Sequence, residues 1–387
     1  MHSHFRTACA RHTSDNPVEN ARLATATIRD GLSGFPAATI VFFAAVDYDP
    51  DTLAVLMREA FPGAITLGCT TAGEAIDDRV ADGSVVAMAY DEEVFDYRET
   101  AIVLGNGQSA SNPGEFTSVD AAVAHLGRGL WQNFRDLNYH EYVGFMLADV
   151  ISFFSEAILE RLGELTDVFS IGGFAGDGYR FNNGQRVFFN GRSYRSAAVL
   201  ALWKPRRGFS LLKTQAVTLT SHSLVITKAD EYNRIIWEFN GEPAETVYAR
   251  LIGLPEDRQP GILDFDAHPL ARTADGEPFL QALVQPVPGR GLRMFAAVKE
   301  GTRLTLCETG DVLRTTAEAL EQLNAAEGPF PAFLHVNCAS RITMLRRAGQ
   351  DEDFMRLFAG MTGVTFGSYG EIYVGLVAMT STIILFK

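Results

Sequence analysis

SIGGFAGDGYRF, residues Ser170 to Phe181, sets the terms on which the rest of the chain is read. An apolar strand over Val168 to Ile171 runs into four glycines, Gly172, Gly173, Gly176 and Gly178, grouped around a single carboxylate, Asp177. Glycine has no Cβ, so such positions admit positive φ and let a ligand or another chain segment approach the backbone closely. Successive N–H groups in a turn of this kind form an anion-binding nest. Asp177 then has two readings: it caps the amides of its own hairpin, or it meets a ligand amine.

Two further stretches share this character, LGCTTAGEA (Leu67 to Ala75) and FGSYGEIY (Phe366 to Tyr373), and each sets a glutamate directly after a glycine, Glu74 and Glu371. The first closes a unit whose parts are legible. TIVFFAAV (Thr39 to Val46) is a fully apolar strand, suited to burial on both faces. Asp49-Pro50 opens a helix whose Leu53, Leu56, Met57 and Ala60 share one face. Ala64 to Gly68 is a second strand, ending in a Cys69-Thr70-Thr71 loop. This is a βαβ unit, and ligands of such sheets sit beyond the carboxyl ends of the strands.

Other elements follow from the same signals. Residues 1–16 are polar and read as loosely ordered, Asn16-Pro17 starts a helix through Ile28, and Ser84 to Tyr90 is expected to pair with Tyr97 to Leu104 across the acidic turn at Asp91. A loop spans Gly105 to Gly114. A helix over Val119 to Leu130 is extended by Trp131, Phe134 and Leu137. Strand Val143 to Leu147 and helix Phe154 to Leu162 lead to the central stretch, and four strands follow between Arg186 and Lys228. Asn240-Gly241 turns into a helix from Pro243 to Ile252. Turns at Gly261 to Leu263 and Pro286 to Gly291 bracket a strand, and the chain closes with helix Val312 to Ala325, strand Ala332 to Val336, a helix over Met344 to Phe358 broken near Gly349, and terminal strands. No short-period repeat is visible.

These motifs, in this order, resemble the FIST family of bacterial sensory proteins, which carry FIST_N and FIST_C domains in tandem. The resemblance rests on LGCTTAGE, on GGFAGDG with the Val-Phe-Phe strand after it, on YGEI, on ITKADEYNRIIWEFNGEPAETVY (Ile226 to Tyr248), and on Asn337-Cys338 followed by Arg341. LADVISFFSEAI keeps Asp149, Ser152 and Glu156 of a related loop without its glycine, and Ala378-Met379-Thr380 keeps only the threonine of another element. The implied fold is mixed α/β (α+β), two tandem domains of mixed β-sheets flanked by helices: an N-terminal extension over 1–34, a FIST_N-like domain over 35–232 and a FIST_C-like domain over 233–387. The implied function is small-ligand sensing without catalysis, reported to a separate signalling partner. Some stand-alone members bind haem and report nitric oxide to a histidine kinase, which makes haem a cofactor to test here.

Composition narrows the classes. At 387 residues with 47% hydrophobic positions, two cores are expected. A net charge of −14 argues against a nucleic-acid footprint, which needs clustered Lys and Arg. The four cysteines, Cys9, Cys69, Cys307 and Cys338, form no CxxC pair, which fits a reducing, cytoplasmic setting. The N-terminus has no signal-peptide architecture, and no apolar run reaches the ~20 residues of a membrane helix. His2, His4, Cys9 and His12 read as a chance cluster with no fixed geometry.

Three chemistries are open. In the first, Glu74, Glu371 and Asp177 make an acidic pocket for an amino-acid-like metabolite, with Arg341 or a glycine nest receiving its carboxylate. Cys69, Thr70, Thr71, Gly73, Gly172, Gly173, Gly176, Asn337, Cys338 and Tyr369 complete that ligand set. Arg341 has a second reading, a surface ion pair. Haem requires an axial ligand, for which His335, within an apolar strand, and His222 are the candidates, ahead of His140 and His268. The third is hydrolysis through Cys69, which needs a base that the local sequence lacks.

Overall fold

The computed structural model describes residues 3–104, 118–149, 153–182, 184–274, 276–373 and 375–387. It is mixed α/β and divides into two compact units, neither one continuous stretch of chain: residues 1–213, 317–376 and 381–387 form the first, and 214–316 with 377–380 the second. Among the described residues no helix is long and apolar enough to cross a membrane.

The first unit is built from one pattern used three times: strand, helix, strand, helix, strand, hairpin, strand. The first repeat comprises Phe5–Ala10, Pro17–Gly31, Thr39–Ala44, Pro50–Ala60, Ile65–Thr70, the hairpin Glu74–Ile76 with Arg79–Val80, and Val85–Tyr90. In the second the elements are Phe95–Leu104, Val119–Gly129, Val143–Ala148, Phe153–Leu165, Ser170–Phe174, the hairpin Val187–Phe189 with Arg192–Tyr194, and Ala197–Pro205. The third starts at Phe209–Thr214, is interrupted by the second unit, and resumes with Val312–Glu327, Ala332–Cys338, the helices Ala339–Arg347 and Asp351–Arg356, Thr362–Ser368, the hairpin Glu371–Tyr373 with Gly375–Val377, and Ser381–Phe386.

Each repeat makes a sheet in the order first, last, second, third strand, and the sixth and fifth places go to another repeat's hairpin. Glu74–Ile76 joins Thr362–Ser368, Glu371–Tyr373 joins Ser170–Phe174, and Val187–Phe189 joins Ile65–Thr70. The exchange is therefore cyclic. Second and third strands are parallel in all three sheets, and their neighbours on either side are antiparallel.

Strand periodicity places the cores. Val41 and Phe43, Phe145 and Leu147, and Leu334 and Val336 point into one core shared by the three sheets, while Ile40, Phe42 and Ala44 face the first repeat's helices. Phe43 and Phe366, from different sheets, stack with centroids 4.5 Å apart at its centre; truncating either to Ala should cost about 3–5 kcal/mol. The helices start where their caps allow. Asn16 accepts from Val18 N and Glu19 N at 3.1 and 3.3 Å ahead of Pro17, and Asp49 accepts from Thr52 N at 2.9 Å ahead of Pro50.

The second unit is an antiparallel sheet around the long strand Val217–Asp230, which pairs with Arg303–Thr309 and Ile235–Phe239. Helix Ala244–Leu251 covers it through Val247 and Tyr248.

Several expectations are corrected. Phe5–Ala10 is an ordered strand, paired along its whole length with Val85–Tyr90, rather than part of a loose terminus. Val85–Tyr90 does not pair with Phe95–Leu104: the acidic turn between them is a crossover from one repeat's sheet to the next, and each strand finds its partners within its own repeat. The helix ending at Gly129 is not extended, because Trp131 takes φ 51°, is 82% exposed and reverses the chain before a 3-10 turn at Phe134–Asp136. The turn expected at Gly261 to Leu263 is instead the start of a short helix, Ile262–Ala267. The broken helix begins earlier than expected, at Ala339, with Gly349 at φ 65° in the break. The loop expected at Gly105 to Gly114 lies outside the described residues.

Candidate functional site

The three glycine stretches follow the third strand of each repeat, at the carboxyl ends of the parallel pairs, and there they bond to one another. Gly176 N and Gly178 N donate to Thr70 O and Thr71 O at 2.9 and 3.0 Å. Ala72 N donates to Gly367 O at 2.9 Å, and Gly367 N to Gly73 O at 2.7 Å. Tyr369 N donates to Phe174 O at 3.0 Å, and Phe174 N to Gly370 O at 2.9 Å. First meets second, third meets first, second meets third: a closed ring of backbone hydrogen bonds.

This ring explains the glycines better than turn geometry does. A Cβ on Gly176 would stand 2.4 Å from Ala72 N, and one on Gly367 would stand 2.8 Å from the Ala72 carbonyl carbon. Only Gly172 and Gly178 of the central four take positive φ, and Gly172 and Gly173 lie within a strand rather than a loop. The expectation of an open anion nest is corrected, because the N–H groups of Phe174, Ala175, Gly176 and Gly178 are all spent on carbonyls and that of Tyr179 on the Tyr369 hydroxyl.

The carboxylates are all buried around this ring. Asp177, fully buried, accepts from the Tyr369 hydroxyl at 2.6 Å and from Phe181 N and Asn182 N at 3.0 Å each. Burial opposes its ionisation, but these donors outweigh it and hold the carboxyl below its usual range. The loop it closes carries Tyr179 and Phe181 at φ 64° and 49°, and Phe181, 60% exposed, stacks on Tyr369 at 5.0 Å. Glu74 accepts from the Thr71 hydroxyl and from Gly83 N and Ser84 N at 2.9 and 3.3 Å. Burial pushes its carboxyl up to about 7, against the donors and with the charge of Asp82 adding to the rise. Asp82 is ion-paired with Arg346, and a cavity of about 30 Å³ between Glu74, Asn337, Thr365 and Arg346 has room for one water.

Glu371 lies opposite Gly173 and Glu74 opposite Phe366, each on its sheet's core-facing side. Arg341 is 1% exposed, which overturns its reading as a surface ion pair. It sits one turn into the helix that follows Ala332–Cys338, and its Nε donates to Asn337 Oδ1 at 3.1 Å. Burial lowers its pKa to about 10, while Cys338 and Glu371 act in the opposite direction. The ring therefore gathers Thr70, Thr71, Gly73, Glu74, Gly173, Gly176, Asp177, Tyr369 and Glu371, with Asn337, Cys338 and Arg341 at one side.

Three residues outside the expected set complete this region, two of them, Ser368 and Tyr179, bonding one repeat to another and the third, Asp149, within the second repeat. Ser368 Oγ accepts from Phe174 N and Gly370 N at 3.1 Å each. Tyr179 donates through its hydroxyl to Ala339 O at 3.0 Å, and Asp149 accepts from Ala197 N at 3.0 Å. Ser368 and Tyr179 stand inside the glycine stretches, yet a serine and a tyrosine in a turn signal nothing by themselves. Ser152 lies outside the described residues.

The other candidates do not fit their chemistry. His335 is fully buried, with Nδ1 3.0 Å from Thr365 Oγ1 and Nε2 2.5 Å from Ser381 Oγ, and it stacks on Phe358 at 5.1 Å. Both ring nitrogens are engaged by hydroxyls, and burial, with Arg341 adding, pushes its pKa down to about 3. An axial haem ligand needs a free nitrogen and a macrocycle's width of open space beside it, and His335 has neither. His222 is exposed on Val217–Asp230, and His140 is exposed as well. Cys69 points into the shared core, and burial raises its thiol pKa well above the ordinary value, with Glu74 adding to the rise, so it is not an activated nucleophile. Among the described residues no group of three His, Cys, Asp or Glu is placed to hold a metal ion.

No curated protein matches the sequence. Among solved structures, T. maritima PurL complexed with FGAR is 10% identical with a TM-score of 0.22, over 98% of this chain and 72% of that one. Phosphoribosylformylglycinamidine synthase II from Thermotoga maritima is 9% identical, also at 0.22, over 99% and 71%. Likeness this faint carries neither fold nor function. The family comparison is of another order: residues 37–242 match the FIST N domain and 244–374 the FIST C domain, a pair associated with sensory signal transduction and small-ligand binding, and the chain belongs to the FIST family.

Proposed function

We propose that the first unit senses a small metabolite bearing both an amine and a carboxylate, bound beside the ring of glycine stretches. Arg341 faces the ligand carboxylate, and Glu371 faces its amine. Asn337, Cys338 and Tyr369 flank them, and the backbones of Thr70, Thr71, Gly73, Gly172, Gly173 and Gly176 shape the floor. Asp177 and Glu74 hold the loops. The observation that carries this reading is the burial of a guanidinium beside a fully buried carboxylate at the carboxyl ends of parallel strands, where α/β sheets take ligands. Charges are buried at a cost of several kcal/mol each, and binding is a use that offsets it. The protein acts without catalysis, in the reducing cytoplasm to which its four free cysteines are suited. It passes the ligand-bound state to a separate signalling protein, a histidine kinase being one such class.

The test is a thermal-shift screen of the amino acids and their decarboxylated amines against the wild type and one double variant. Removing one member of a buried pair costs about 3–5 kcal/mol, so the double variant Arg341→Met/Glu371→Gln is the folded control. A saturable rise in melting temperature with an amino acid, absent with the matching amine and absent in the double variant, is the expected result. A double variant that responds like the wild type, or no response to any amino acid, refutes the proposal.

A further inference from the structure

The first unit has a second recess, at the opposite ends of the same strands. Pro331 precedes Ala332–Cys338, Phe5 starts its strand, Phe386 pairs with Ala332 at the end of its strand, and Pro205 ends another. These amino-end positions, from all three repeats, border a cavity of about 360 Å³ that also reaches Val94, His4, Arg207 and Lys387. That volume lies within the range of small-ligand sites.

Its floor is aromatic. The rings of Phe5 and Phe386 lie 5.5 Å apart, and behind them Tyr90, Phe95 and Trp203 continue the stack, with Phe386 to Phe95 at 6.1 Å and Phe95 to Trp203 at 5.2 Å. Tyr90 is fully buried, and among the described residues its hydroxyl has no hydrogen-bond partner. A buried hydroxyl in that state costs about 1–3 kcal/mol.

The rim is cationic and only partly neutralised. Lys387 is paired with Glu327 at 2.6 Å, and Glu93, the acidic side chain on the rim among the described residues, is taken by Arg206 at 2.5 Å. Arg207 is exposed and meets no carboxylate among the described residues; its Nη2 lies 3.3 Å from His4 Nε2, whose Nδ1 is held by Asp91 at 2.9 Å. The tautomer that carries its proton on Nδ1 donates to Asp91 and accepts from Arg207, an arrangement that holds the guanidinium at the rim of the recess. An apolar floor under a guanidinium that meets no carboxylate among the described residues suits a small organic anion with an apolar body.

We propose that this recess is a second binding site, for a small aromatic or short aliphatic carboxylate, distinct from the ring of glycine stretches. Benzoate is the probe and benzylamine its cationic counterpart of the same shape. Trp131→Phe/Trp237→Phe leaves Trp203 as the single indole of the chain's three. In that background benzoate at millimolar concentration should change Trp203 fluorescence saturably, and benzylamine should not. Arg207→Ala should weaken benzoate by about tenfold or more, the worth of a charge-assisted hydrogen bond, and Arg207→Glu should abolish it. Arg207 is exposed, so both variants keep the fold. Equal responses to benzoate and benzylamine, no saturable response to benzoate, binding that leaves Trp203 silent, or an unchanged affinity in Arg207→Ala would each overturn the proposal.

Discussion

Glu74 makes the stability of the first unit depend on pH in a direction opposite to that of most paired carboxylates. Its carboxyl, 4% exposed, is pushed from 4.5 to about 7, chiefly by burial, with Asp82 adding to the rise while the Thr71 hydroxyl and the Gly83 and Ser84 amides oppose it. Below pH 4.5 the group is protonated in both folded and unfolded chains, and its favourable contribution is complete. Between 4.5 and 7 the folded chain holds a proton that the unfolded chain has released, so stability falls with each step up in pH. Above 7 both are ionised and the folded chain carries the whole cost. A displacement of about 2.5 pH units at about 1.4 kcal/mol each amounts to roughly 3 kcal/mol. Glu74→Gln removes the titration and keeps the geometry, since the amide oxygen accepts from Gly83 N and Ser84 N while the amide nitrogen donates to Thr71. Urea unfolding followed by near-UV circular dichroism at pH 5 and pH 8 should show the wild type losing about 2.5 kcal/mol relative to Glu74→Gln between the two values. Profiles that stay parallel to within about 1 kcal/mol would refute the assignment, whatever the absolute stabilities.

The ring of glycine stretches has its own tests. Gly176→Ala forces a methyl against the Ala72 backbone and strains the bonds to Thr70 and Thr71; a loss of about 2–4 kcal/mol is expected in the same urea assay. Gly163→Ala, inside helix Phe153–Leu165 with nothing within 4 Å of the added methyl, should instead gain about 0.5–1 kcal/mol. Asp177→Asn should cost about 1–3 kcal/mol at pH 7, and the difference from wild type should shrink as pH falls below the ordinary aspartate value and through the depressed carboxyl pKa of Asp177; a difference that does not change with pH would contradict its ionised, hydrogen-bonded role. Ellman's reagent on the native protein should modify Cys9, which is partly exposed, and leave Cys69, Cys307 and Cys338 untouched until urea unfolds the chain; early modification of Cys69 would revive it as a nucleophile.

What could be read from the chain was what is local. Asn16-Pro17 and Asp49-Pro50 announce their helices, and the apolar run at Thr39 announces a strand buried on both sides, because caps and periodicity act within a few residues. The clustering of glycines also pointed to a meeting place. Their purpose there was not legible, since a glycine needed for close approach to another backbone looks the same in sequence as one needed for positive φ. Phe5–Ala10 was missed because alternation of Phe, Thr and Cys with Arg and Ala is too weak without its partner strand. His335 in an apolar strand suggested a ligand, and only the placement of Phe333 and His335 against Phe354 and Phe358, with hydroxyls on both ring nitrogens, shows a packed, hydrogen-bonded side chain. The threefold pattern escaped because the third copy is interrupted by 214–316 and because hairpin exchange leaves no sequence mark.

That exchange bears on how the protein comes off the ribosome. The hairpin that begins at Glu74 has its outer partner at Phe366, so although Glu74–Ile76 pairs with Arg79–Val80, its other edge stays open until Thr362–Ser368 has been synthesised. Contacts of such long range are slow to form and leave edges open to the wrong neighbours. A nascent chain arrested before Thr362 would present an unfilled strand position to any chaperone, and to any other copy emerging beside it.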